Sequence, residues 1–231
     1  MKTPLLQRLT PADRELIIAN STLVPIKKGS FVFMEGDKAE KIFFIKEGTF
    51  RVHKQIDDGK EVTVFLRGAD DGFGEIGPFS GPTYSCSAHA ETNGELYCID
   101  EDKIESILAN NGAITLEFLR WAAESLETSG SKLKDYMMHQ TRGAVASVLI
   151  RLTNMYGKEI EDGSIVIDEP ITNYDIASHI GSSRETVNRF INGWRQEGIL
   201  EVDRKIITIK DMDYFRDMLK CDKCGVQNCV I

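Results

Sequence analysis

Three cysteines fall within nine residues near the C-terminal end, Cys221, Cys224 and Cys229, in the spacing C-x2-C-x4-C. Thiolates this close can converge on one soft centre, and iron–sulfur clusters and zinc are the groups they suit. Both usually want four protein ligands, so the fourth must come from elsewhere or be solvent. Cys86 and Cys98 stand alone among apolar residues and read as strand core. His53, His89 and His179 have no partners at ligand spacing and read as surface or core.

A second set of chemistry-bearing residues lies between Thr172 and Arg189. Arg184, Glu185, Asn188 and Arg189 leave one face of a short helix in its first two turns, while Val187, Phe190 and Ile191 take the inner face. Arg can donate twice to guanine O6 and N7, and Glu can accept from cytosine N4, each good pair giving about 1–3 kcal/mol of discrimination. That is the chemistry of a recognition helix reading a major groove. The bland alternative is a solvated face on an ordinary helix pair.

The elements around this helix fit the first reading. Thr172 caps a preceding helix over about 173–180, with Ile176, Ala177 and Ile180 on its buried side. Gly181 supplies the positive φ of a tight turn between two steeply crossed helices, and Ser182 or Ser183 caps the second helix, about 183–196. Strands 199–202 and 206–209 form a wing with Arg204 and Lys205 at its tip, near phosphates. Upstream lie a helix over 142–156 closed by Gly157 as a C-terminal cap, and a short strand over 164–167. A last helix, about 212–219, has Asp211 as its N-cap.

The first half of the chain has another pattern. Residues 4–20 read as a helical entry, with Pro11 at a helix start and Leu16, Ile17 and Ile18 on an apolar face. From about 21 to 100, short apolar runs such as Ile42-Phe43-Phe44-Ile45 and Leu96-Tyr97-Cys98-Ile99 alternate with turn signals, the pattern of a β barrel, sandwich or roll. A short helix follows over 102–110, then a long one from about 113 toward 140. Leu119, Ala123, Leu126, Gly130, Leu133 and Met137 recur along it at alternating steps of four and three, a seam for a second helix. Asp135, two residues past a seam position, points away from that partner. The expected class is α+β: an N-terminal jelly-roll-like β-roll over 1–110, a dimerisation helix over 111–140, a winged helix-turn-helix over 141–220 and a cysteine-rich tail over 221–231.

Composition narrows the function classes. Net charge is −8, from 28 basic and 36 acidic residues, which argues against diffuse coating of nucleic acid. No apolar stretch is long enough for a spanning helix, and the N-terminus has no signal-peptide pattern, so a cytoplasmic protein without a membrane partner is expected. An odd number of cysteines, five, argues against a disulfide framework. No Ser-His-Asp set, phosphate-cradling glycine loop or histidine cluster suggests an enzyme.

The order of β-rich segment, seam helix and winged helix-turn-helix resembles the CRP/FNR family of bacterial regulators over nearly the whole chain. So do Ser183-Arg184-Glu185-Thr186-Val187-Asn188-Arg189 and Gly74-Glu75-Ile76-Gly77-Pro78-Phe79, which look like the family's recognition-helix motif and β-roll loop. The resemblance implies a homodimer on a palindromic TGTGA-like duplex, with Ser183, Arg184, Glu185, Asn188 and Arg189 at the DNA, and RNA polymerase as a further partner. Cyclic-nucleotide-binding members follow the β-roll loop with an Arg. Here Tyr84 stands in that stretch, and 82–89 hold no Arg or Lys, so no cyclic nucleotide is expected.

The cysteine tail resembles that of Bacillus-type FNR regulators. This implies one four-iron, four-sulfur (4Fe-4S) cluster per chain, held by Cys221, Cys224, Cys229 and a fourth ligand, Asp135, and an oxygen- or redox-responsive regulator of anaerobic metabolism. The residues also admit zinc completed by His139 or Asp135, a metal-free thiol–disulfide sensor, or an incidental tail with Asp135 as a solvated charge. The runner-up function is a CRP-like regulator without a metal, either constitutively active or answering a small effector in the β-roll.

Overall fold

The computed structural model describes residues 3–56, 59–138, 140–221 and 229–231. His139 and Cys224 lie outside the described residues, as do Asp57 and Asp58. The chain divides into two compact units, one of residues 3–55 and 63–124, the other mainly of 125–231 together with 56–62.

The first unit is a β-roll with helices on one side. One sheet has the order β1 (Thr22–Ile26), β8 (Gly94–Asp100), β3 (Lys41–Glu47), β6 (Gly72–Phe73). The other has the order β2 (Phe31–Phe33), β7 (Ser87–Ala90), β4 (Phe50–Gln55), β5 (Glu61–Arg67). Successive side chains on a strand point to opposite faces. In β3, Phe43 and Ile45 therefore enter an aromatic core with Phe33, Phe50, Phe73 and Tyr84. Ile42 and Phe44 enter a second cluster with Leu5, Leu6, Ile17, Ile104, Ile114 and Trp121. Both faces of β3 are dry, so its sequence is an unbroken apolar run. Each such fully buried side chain contributes about 1.5–3 kcal/mol.

The second cluster is supplied by helices α1 (Leu5–Arg8), α2 (Pro11–Ala19), α4 (Glu101–Asn110) and the first part of α5 (Gly112–Met138). Thr10 caps α2 by accepting from the Asp13 amide at 3.2 Å, and Pro11 takes its first turn, as its missing N–H allows. The apolar face expected at Leu16, Ile17 and Ile18 is narrower than that: Ile17 is buried, but Leu16 is exposed. The segment Ile76–Ser80 of the β-roll loop is a short helix, α3.

In the second unit, α6 (Gln140–Tyr156) is buried along Gly143–Thr153, which explains its apolar residues on all sides. A sheet of order β11 (Leu200–Asp203), β12 (Ile206–Ile209), β10 (Ile165–Ile167), β9 (Gly157–Glu159) follows it. Helices α7 (Asn173–Ile180), α8 (Arg184–Gln196) and α9 (Met212–Leu219) complete it. Asp211 caps α9 through the Tyr214 amide at 3.0 Å. One expectation is corrected here. Gly157 does not end α6 in a left-handed conformation; its φ is not positive, and a Cβ there would lie 2.3 Å from the Thr153 carbonyl oxygen. Glycine is required for close approach. Residues 157–159 then pair with β10 as a short exposed strand that the pattern did not announce.

Candidate DNA-binding face and cysteine tail

Local chemistry builds the helix pair. The Thr172 hydroxyl accepts from the Asp175 amide at 3.1 Å, and the Asp175 carboxylate accepts from the Thr172 amide at 2.7 Å, closing a reciprocal cap on α7. Gly181 follows in the left-handed region, φ 64, and ends the helix. Ser183, not Ser182, caps α8 by accepting from the Thr186 amide at 3.1 Å. The inner face of α8 is dry: Val187, Ile191 and Trp194 are buried, and Trp194 meets Phe215 of α9 edge-to-face at 4.9 Å.

The outer face carries the polar set. Arg184, Glu185, Asn188 and Arg189 are all exposed, and Ser183 is half-buried beneath them. Arg184 and Glu185 form no hydrogen bond or ion pair among the described residues, so neither must give up a protein partner to meet a base. Asn188 accepts from the Asn173 side chain at 3.0 Å, which fixes its amide across the two helices. The Arg189 guanidinium lies 5.1 Å from the Phe190 ring centre. At the wing tip, Arg204 and Lys205 turn the strand pair with φ of 46 and 74, and both are exposed.

The long helix α5 has two contrasting rows. Leu119, Ala123, Leu126, Gly130, Leu133 and Met137 are all exposed, Leu126 at 75%. Opposite them, Ser125, Thr128, Lys132 and Asp135 are buried. A solvated Asp135 is therefore excluded. Its Oδ2 accepts from Ser147 Oγ at 2.7 Å and from Arg151 Nη2 at 3.0 Å, both on α6.

The structure brings one cysteine of the candidate cluster set, Cys229, near this point. Cys229 is buried, and its carbonyl accepts from Asn154 Nδ2 at 2.8 Å. The next carbonyl, of Val230, accepts from Arg151 Nη1 at 3.0 Å, so one guanidinium touches both the tail and Asp135. Cys221 is half-buried just past α9. Cys224 lies outside the described residues, and among the described residues no three His, Cys, Asp or Glu gather as for a metal ion.

The roll interior is filled. Tyr84 is buried, its ring stacked on Phe33 at 3.8 Å, and its hydroxyl donates to the Lys41 carbonyl at 2.7 Å. Burial pushes this phenol up to about 12. The cavity bordered by Phe33, Phe65, Phe73, Gly77 and Tyr84 amounts to about 20 Å³. Small-molecule pockets are usually about 300–1,000 Å³. Burial also pushes the Cys98 thiol up to about 11 and raises that of Cys86, as suits inert core cysteines. His53 and His89, far apart in sequence, are brought together across β4 and β7 with ring centres 4.9 Å apart. Nothing in their spacing announced that pairing. No helix among the described residues is long and apolar enough to cross a membrane.

Comparison with known proteins agrees with this architecture. A cyclic nucleotide-binding domain model matches residues 23–111, and a Crp-like helix-turn-helix domain model matches 143–218. The chain is 37% identical to the "Anaerobic regulatory protein" of Bacillus subtilis (strain 168), over 94% of this chain and 92% of that one. It is 28% identical to a CRP-like cAMP-activated global transcriptional regulator of Mycobacterium tuberculosis, over 82% of this chain and 84% of that one. In fold it is similar to a CooA mutant from Carboxydothermus hydrogenoformans, with TM-score 0.80, 19% identity, and coverage of 94% and 96%. It is also similar to the c-di-GMP responsive regulator CLP of Xanthomonas campestris, with TM-score 0.76, 18% identity, and coverage of 87% and 99%. These relatives are transcription regulators rather than enzymes. With a β-roll, a long helix and a winged helix-turn-helix in that order, and that identity over almost its full length, the chain belongs to the CRP/FNR family of DNA-binding transcription regulators.

Proposed function

We propose that this protein is a cytoplasmic, redox-responsive member of the family, a homodimer that reads a palindromic TGTGA-like site and senses oxygen through a 4Fe-4S cluster. Arg184, Glu185, Asn188 and Arg189 contact base edges, Ser183 holds the helix end near them, and Arg204 and Lys205 meet phosphates. The exposed leucine row of α5 packs against the same row of a second copy, which places two recognition helices about 34 Å apart on one duplex. RNA polymerase is the further partner that the family resemblance implies.

Cys221, Cys224, Cys229 and Asp135 would hold the cluster. The observation that carries this reading is the burial of Asp135 beside a tail docked through the carbonyls of Cys229 and Val230. Both described hydrogen bonds of Asp135 fall on Oδ2, and Oδ1 takes none among the described residues, so one carboxylate oxygen is open to a ligand. When bound, the cluster supplies a centre that oxygen can oxidise. The chain's own part is mechanical. The docked tail steadies the α5–α6 junction, where Gln140 has φ 53, and a released tail frees it. Similarity to the anaerobic regulatory protein of Bacillus subtilis supports the same reading.

The β-roll takes no cyclic nucleotide in this proposal, because stacked Phe33 and Tyr84 fill its interior. Anaerobic purification followed by iron, sulfide and zinc analysis tests the sensor. Iron with acid-labile sulfide supports it; zinc alone, or no metal, refutes it.

A further inference from the structure

Arg151 is fully buried, and its only ion pair among the described residues is with Asp135. Its guanidinium donates four hydrogen bonds to three separate segments. On α6, Ser147 Oγ accepts from Nε at 3.1 Å. On α5, Ser131 Oγ and Asp135 Oδ2 accept from Nη2 at 2.8 and 3.0 Å. On the tail, the Val230 carbonyl accepts from Nη1 at 3.0 Å.

A buried ion pair is a poor device for stability. Desolvating two charges costs about as much as their attraction returns, and well-packed apolar residues often serve as well or better. An apolar residue could not, however, bind a carboxylate, a hydroxyl and a peptide carbonyl at fixed angles. The planar fork of Arg can, and the single ammonium of Lys cannot. Hydrogen-bonding partners around a metal ligand typically set its orientation.

We propose that Arg151 is a positioning residue with two linked tasks, which rests on the cluster reading for the first task only. It and Ser147 occupy Oδ2 of Asp135, which presents Oδ1 as the ligating atom. It also joins the tail to α5, so that a change at Asp135 is felt at Val230 and the reverse. The state of the tail thereby reaches the dimer helix through the Arg151 guanidinium.

The second task is testable without any cluster. In metal-free protein, hydrogen exchange at the Val230 and Ile231 amides reports docking of the tail. Arg151→Lys should speed that exchange about tenfold or more while the fold is kept, as expected for a lost local constraint. Asp135→Asn, whose described hydrogen bonds all go to α6 and none to the tail, should speed it about threefold or more, within the range of coupling between residues of one network. Unchanged tail exchange in a folded Asp135→Asn protein overturns the proposal, whether or not Arg151→Lys folds. The first task is read separately, as iron bound per chain after anaerobic reconstitution. If the parent loads iron and Arg151→Lys loads it equally, the positioning task is wrong. If the parent itself takes no iron, the cluster reading fails and the exchange result still decides the coupling.

Discussion

Tyr84 and Phe33 stack with ring centres 3.8 Å apart and planes 15° from parallel. This pair closes the interior of a domain whose family model is named for binding cyclic nucleotides. Saturating cAMP should leave the melting temperature and DNA affinity unchanged. A ligand-dependent rise in melting temperature would contradict the assignment. Tyr84→Ala should cost about 3–5 kcal/mol by opening a cavity, measured by denaturant unfolding.

The same phenol gives a pH prediction. Its unfolded value is near 10.0, and burial raises the folded value to about 12. Below the lower value both states hold the proton and the contribution is complete. Between the two, only the unfolded chain loses its proton, so stability falls as pH rises through that window. Tyr84→Phe should flatten this alkaline loss. An identical alkaline profile for the variant and the parent would show that Tyr84 is not the group responsible.

Gly181 joins α7 to α8 with φ 64, and a Cβ there would lie 2.7 Å from Ile56 Cδ1 and 2.8 Å from Val62 Cγ2. Gly181→Ala should lose about 1–2 kcal/mol from the left-handed backbone alone. Thermal unfolding of the variant checks this, and a neutral effect would mean the turn adopts another geometry.

Arg184→Ala should weaken binding to the palindromic site by about 1–3 kcal/mol and relax selectivity at one base position. Lys205→Ala should instead weaken all duplexes alike and reduce the salt slope by about 1. Titrations on the site and on single-base variants separate the two. A sequence-specific loss at Lys205, or a uniform one at Arg184, would reverse the roles.

The helix-turn-helix was legible because its signals are local. Thr172 and Asp175 are three residues apart, Gly181 follows directly, and Val187 and Ile191 fall on one helical face, which Trp194 rather than the expected Phe190 completes. The roll was legible in outline because Ile42–Ile45 must be dry on both sides. What stayed hidden depends on distant partners. The spacing of Asp135 does not announce that Arg151, sixteen residues away on another helix, covers it. His53 and His89 meet only because β4 pairs with β7. In sequence Gly157 resembles an ordinary helix-end glycine, whereas crowding by the Thr153 carbonyl is what requires it. Strand β9, all exposed, carries no apolar alternation to read.

The most direct test compares DNA affinity before and after exposure to air, for the parent and for Cys224→Ser. Coupling between a sensor and a distant site usually amounts to about 5–150-fold. The account predicts that the anaerobic parent binds the palindrome at least about fivefold more tightly than the same protein after air, and that Cys224→Ser binds weakly in both conditions. Equal affinity of all four samples would contradict it.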